Sequence, residues 1–130
     1  LHVSWKLKAK GDSGVYLRGL PQVQIWDTTS KANQKLGADK GSGALWSNPK
    51  LGRFPLIKAD KPIGEWNHLF IRMVRKRVTI WLNGQLTVND VDLKNFYEKK
   101  KNSIPKKERI ELQTHGHPVW FKNIFIREIK

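Results

Sequence analysis

Apolar and polar residues alternate with a period of two in one short run after another, and this pattern constrains the chain more than its composition does. In "LHVSWKL", Leu1, Val3, Trp5 and Leu7 stand against His2, Ser4 and Lys6, which is the pattern of a strand with one buried face. "VYLRG" and "QVQIWD" follow as two more strands. "WNHLFIRMVRKRVTIWLNGQLTVNDV" predicts a three-strand meander, and "RIELQTH" and "VWFKNIFIREI" predict the last two strands. Asn83-Gly84 marks a hairpin inside the meander, because both central residues of a type I′ turn take positive φ. Between the strands, residues 28–43 read as a long polar loop and "ALW" as a short strand. "NPKLGRFPLIKADKPIGE" reads as an ordered, proline-bearing surface loop. "DLKNFYEKKK" reads as one short helix or an irregular excursion. Many short strands with little helix predict an all-β, two-sheet antiparallel jelly-roll sandwich.

The 130 residues make one domain, 1–130, and six Trp within a 38% hydrophobic chain are ample for its core. Leu1 opens in the middle of a strand pattern without an initiator Met or signal peptide, so the expectation is a domain incomplete at its N-terminus. No apolar run approaches the roughly 20 residues of a membrane span. The absence of cysteine excludes disulfides and thiolate chemistry. The net charge of +14 would attract nucleic acid, an anionic polysaccharide or an acidic membrane surface. Much of it sits in expected loops such as "EKKKNSIPKKER" and "SKANQKLGADK", apart from the aromatic residues, and there it reads as a solvated surface. Nucleic acid is therefore the least favoured partner.

Several strands carry an unusual polar face. Gln22, Gln24 and Trp26 alternate with Val23 and Ile25; Glu111, Gln113 and His115 alternate with Ile110 and Leu112; Trp81 shares a face with Thr79. Amides and arginine hydrogen-bond hydroxyl groups, and flat rings stack on the apolar face of a pyranose, so these faces suit a sugar-holding sheet. Packing of both faces, with the amides satisfied by loops, is the plainer reading. His2 and His68 stand singly in strands, as packing histidines do. His115 and His117 in "HGH" have a spacing that suits a metal, but a site normally needs three or four ligands. No phosphate-binding loop, dinucleotide fingerprint, nucleophile triad or zinc-protease motif is present. The acid–base candidates are His115, Asp27 and Glu111.

"GDSGVYLRG", "PQVQIWD", "GSGALW", "GEWN", "VTIWLNG", "IELQTHG" and "VWFKNIFIREI" occur in that order. Together they resemble the 3-keto-disaccharide hydrolase family, from Leu1 to Ile129. The resemblance implies the concanavalin-like lectin/glucanase fold and further strands ahead of "LHVSWK", which a partner segment or a dimer would have to supply to complete the sheet. It also implies a carbohydrate substrate, a 3-keto-glucoside or disaccharide, and periplasmic or secreted residence. A 3-ketone acidifies the C2 proton, so a base removes it, the C1 glycosidic oxygen leaves, and water adds back. On that resemblance His115 is the base or a ligand to a divalent metal ion, and Arg18 donates to the enolate or to a hydroxyl. Asp27 is a second candidate base, Gln22, Gln24 and Gln113 hold hydroxyls, and Trp26 or Trp46 stacks on the ring. A non-catalytic carbohydrate-binding module is the first alternative and a polyanion binder the second.

Overall fold

The period-two pattern folds as strands whose apolar sides meet in one core. The computed structural model describes residues 1–95 and 104–130. In β1 (His2–Leu7), Val3, Trp5 and Leu7 are buried while His2 faces solvent. β2 (Asp12–Leu17) and β3 (Leu20–Trp26) contribute Val15, Leu17, Val23 and Ile25 to the same core. β4 (Asn67–Val74), β5 (Arg77–Leu82) and β6 (Gln85–Asp92) form the meander, whose inward positions are Leu69, Ile71, Val78, Ile80, Leu82 and Val88. Asn83 (φ 50°) and Gly84 (φ 81°) both take positive φ at the hairpin, as the turn chemistry requires.

Two short strands close the set of described elements, β7 (Glu111–Leu112) and β8 (Val119–Phe125). The larger sheet runs β6-β5-β4-β1-β8 and the smaller β3-β2-β7, with every pairing antiparallel. This is the predicted two-sheet sandwich. The loop after β3 holds a four-residue helix, α1 (Lys31–Gln34), whose Ser30 cap accepts from the Asn33 N–H, and a 3₁₀ turn at Ala38–Lys40. "ALW" forms no strand of its own. Instead residues 43 and 44 exchange backbone hydrogen bonds with Gln24 along the edge of β3. Strand pairing in "RIELQTH" covers only two residues, and most of "DLKNFYEKKK" lies outside the described residues.

Burial is uneven. Toward β7 and β8 the two sheets part, leaving Ile110, Leu112, Ile124, Phe125, Ile126 and Ile129 exposed. A groove of about 530 Å³ opens there, lined by Leu1, Leu17, Ile71, Ile110, Ile126 and Ile129 among others. No helix among the described residues is long and apolar enough to cross a membrane.

Candidate functional site

With Val15, Val23 and Ile25 turned into the core, alternation sends Asp12, Gly14 and Tyr16 of β2 and Gln22, Gln24 and Trp26 of β3 to the outer face of the small sheet. The register sets Asp12 opposite Trp26, Gly14 opposite Gln24 and Tyr16 opposite Gln22. β7 adds Glu111 beside Tyr16, and the Gln113 N–H then donates to the Gly14 carbonyl. The faces noted in the sequence around Gln24 and Gln113 are thus one surface. Trp81 is not part of it: it stacks on Phe70 at 5.0 Å on the outer side of the other sheet.

The amides on this surface are wired to one another. Gln24 Nε2 donates to Asp12 Oδ1 (2.6 Å) and to the Ser13 carbonyl (3.2 Å), and Gln24 Oε1 accepts from Gln22 Nε2 (3.1 Å). Gln22 Nε2 also reaches Gln113 Oε1 (3.5 Å), and Gln113 Nε2 donates to the Tyr16 hydroxyl (3.3 Å). A network of this kind fixes side chains that in isolation would be floppy, and it leaves the second N–H of Gln113 available to an incoming oxygen. Gly14 makes room for it: a Cβ there would stand 2.2 Å from Gln22 Cγ and 2.7 Å from Gln22 Cβ. Gly14→Ala should therefore push Gln22 out of line and destabilise the domain by about 1–3 kcal/mol, the usual cost of overpacking. Titration of the variant with sugar should show weakened binding beside a lowered thermal midpoint; unchanged affinity would mean that Gln22 does not position ligand.

At one end of the network stands a carboxyl–imidazole pair. His115 Nδ1 lies 3.8 Å from Asp12 Oδ2, and the imidazole is exposed while the carboxyl is mostly covered. Burial pushes the Asp12 carboxyl above its usual range, although the Gln24 hydrogen bond and the neighbouring His115 and His117 pull the other way. At that separation the carboxyl is an electrostatic neighbour of the ring and not a hydrogen-bond partner, and the exposed imidazole can meet a ligand on the open face. Sequence reasoning passed over Asp12, although the alternation that marks Gln24 as outward-facing also places Asp12 there.

Other expected site residues stand elsewhere. Arg18, at the β2–β3 turn with φ 52°, lines the apolar groove with Leu17, Ile71 and Ile126. Six residues of extended chain, about 20 Å, separate it from Asp12. One sugar ring on His115 is out of its reach. Asp27 is 2% exposed and accepts from the Lys10 N–H (2.7 Å), the Thr29 N–H (2.8 Å) and the Thr29 hydroxyl (2.7 Å). Burial alone would raise its pKa, but these hydrogen bonds outweigh it and hold the carboxyl below its usual range. Asp27 is a loop clamp and a poor base. Trp26 is buried, its Nε1 donating to the Gly41 carbonyl, so it backs the surface instead of offering a ring face. It meets Trp46 edge-on at 6.2 Å, and Trp46 is pinned by a hydrogen bond from Nε1 to the Leu36 carbonyl.

For a divalent metal, Asp12 and His115 supply two donors. No group of three or more metal-ligating side chains occurs among the described residues, so these donors do not fit a protein-held metal.

Three comparisons bear on the family and the fold. A family model described as a 3-keto-alpha-glucoside-1,2-lyase-like domain matches residues 1–127. No curated protein matches the chain. Among solved structures, three crystal structures of proteins from Parabacteroides distasonis ATCC 8503, each presented as a candidate glycosyl hydrolase, resemble this fold. The first has a TM-score of 0.73 at 23% identity, over 94% of this chain and 73% of that one. The second has a TM-score of 0.64 at 22% identity, over 94% and 66%, and the third 0.59 at 23%, over 94% and 60%. At that identity the likeness shows the fold alone. The chain spans less than two thirds of the length of the second and third.

Proposed function

The chain belongs to the 3-keto-alpha-glucoside-1,2-lyase-like domain family, and from that premise we propose that it cleaves the glycosidic bond of 3-keto-glycosides on the outer face of its small sheet. The observation that carries the proposal is the Asp12–His115 pair at the end of the amide network, since C2 deprotonation needs a positioned base beside groups that hold sugar hydroxyls. His115 Nε2 takes the C2 proton, and the C–H electron pair moves into a C2–C3 enolate whose charge rests on the ketone oxygen. The remaining N–H of Gln113 is the donor on this face for that oxygen. The enolate then re-forms the ketone, a C1–C2 double bond forms, the C1–O bond breaks, and the departing oxygen takes the proton back from the imidazolium. Water adds to C1 with a proton to C2, so the sum is hydrolysis. Asp12 supplies a carboxylate beside His115, while Gln22 and Gln24 fix the amide row against which the sugar lies.

The test is a proton NMR time course with a 3-keto-glucoside, in which dispersed methyl signals report a folded protein. Loss of the C2 proton signal in step with aglycone release is the expected result. A folded chain that binds the sugar without turning it over would replace this reading with a carbohydrate-binding module. The same proposal includes a strand-forming segment that covers the β7–β8 side, motivated by the apolar residues exposed there, and extracytoplasmic residence, which rests on the family alone.

A further inference from the structure

Beyond Trp46 the surface changes character. The Arg53 guanidinium carbon lies 4.9 Å from the Trp46 ring centroid and 5.6 Å from that of Phe54, and Lys40 Nζ lies 3.7 Å above the same Phe54 ring. Phe54 is itself seated against Gly37, where a Cβ would stand 2.4 Å from Phe54 Cε1. Two cations thus share one immobilised ring, and neither side chain makes a hydrogen bond or ion pair with a described residue. Like charges gathered on one ring repel each other, and the π contacts offset only part of that. An oxyanion at this ring would be attracted by both charges. Arginine held flat on an aromatic ring keeps its fork of N–H donors at the edge, where it accepts a carboxylate or sulfate in bidentate fashion.

The position relates this cluster to the sugar face. Asp12 is the cross-strand neighbour of Trp26, Trp26 meets Trp46 at 6.2 Å, and Arg53 lies on Trp46, so the cluster adjoins the Trp26 end of the small sheet. We infer that Arg53 and Lys40 are the anion-recognition element beside this sugar face and that the substrate is an acidic saccharide, bearing a carboxylate or sulfate on one of its rings. The inference rests on the keto-glycoside reading for where the sugar lies, and it adds the substrate class. It also gives part of the +14 net charge a task.

Five matched probes test it: 3-keto-cellobiose, the two forms of that disaccharide with a carboxylate on one ring or the other, and the two forms 6-sulfated on one ring or the other. Binding by titration and turnover by NMR are measured on the wild type, Arg53→Ala, Arg53→Lys, Lys40→Ala and Lys122→Ala. Lys122 is a control cation, held over Trp66 on the outer side of the other sheet. At least one charged probe should bind about 10- to 100-fold tighter than the neutral one, as charge-assisted hydrogen bonds allow. Arg53→Ala should erase that preference, Arg53→Lys should restore part of it, Lys40→Ala should reduce it, and Lys122→Ala should leave it intact. Carboxylate against sulfate preference then identifies the anion.

Equal binding of charged and neutral probes overturns the inference, as does a preference that survives Arg53→Ala and merely fades with salt, since that is the field of the whole protein. Binding of none of the probes overturns it too. Turnover of the neutral probe without a charge preference sinks this inference and leaves the keto-glycoside reading standing. An Arg53-dependent preference without turnover does the reverse.

Discussion

Replacing His115 with Ala should lower turnover of a 3-keto-glucoside by about 10²- to 10⁴-fold, the range of a lost general base, while the thermal midpoint stays where it is. The second half of that expectation follows from exposure: the imidazole stands in solvent, and its nearest charged neighbour, Asp12, is at ion-pair distance. Surface substitutions of this kind stay within about 0.5 kcal/mol. Asp12→Asn should behave differently. The folded-state pKa of Asp12 is raised, so folding disfavours its charged form. By linkage, that unfavourable contribution is absent below the carboxyl's ordinary range and present in full above its folded value. At neutral pH the amide therefore removes a cost of folding, while its oxygen can still accept from Gln24 Nε2. Asp12→Asn should keep or raise the midpoint above that of the wild type, and the advantage should vanish toward acid. Its turnover should nonetheless fall, because the carboxylate beside the ring is gone. A variant that melts lower at neutral pH yet turns over normally would show that Asp12 is a structural carboxyl and that His115 works alone or not at all.

How legible each part was in the sequence follows from what fixes it. Alternation fixed β1, the meander and the inward residues, because a one-residue slip would turn Val3, Trp5 and Leu7 out to water. Asn83-Gly84 fixed its hairpin because few residue pairs accept two positive φ angles. The same alternation made Gln22, Gln24 and Gln113 one face, and the sheet order brought them together. Long-range placement was not legible. Arg18 and Gln22 are near in sequence, but a strand's length carries Arg18 away from Asp12, and no local pattern reports which end of a strand becomes a site. Asp27 read as a base because its loop bonds to Lys10 and Thr29 are set by a turn that periodicity does not encode. Trp81 read as part of the sugar face because alternation gives a residue's side of its own sheet and not which sheet that is. Arg53 left no signal at all, since its meeting with Trp46 and Phe54 depends on the path of an irregular loop.

Leu69→Ala should cost about 2–5 kcal/mol in urea denaturation, a large part of the roughly 5–15 kcal/mol that holds a domain folded. Leu69 is fully buried and stands between Val3 of β1 and Leu82 of β5, so little can collapse into the space left behind. Ile124→Ala, by contrast, should cost no more than about 0.5 kcal/mol, because Ile124 of β8 is 49% exposed and has little burial to lose. Both changes shorten an aliphatic side chain, and what separates them is how much water has already reached it. The pair therefore measures whether the β7–β8 side of the sandwich is open in solution. If Ile124→Ala costs as much as Leu69→Ala, something covers that face, and the dependence of the midpoint on protein concentration says what. A midpoint that rises with concentration means a second copy supplies the cover, by mass action. The predicted difference, with no concentration dependence, means that this chain folds around the β1–β4–β5 core and leaves its apolar flank for a further strand-forming segment. In that case, joining such a segment to the chain should make Ile124→Ala costly and leave the penalty at Leu69 unchanged.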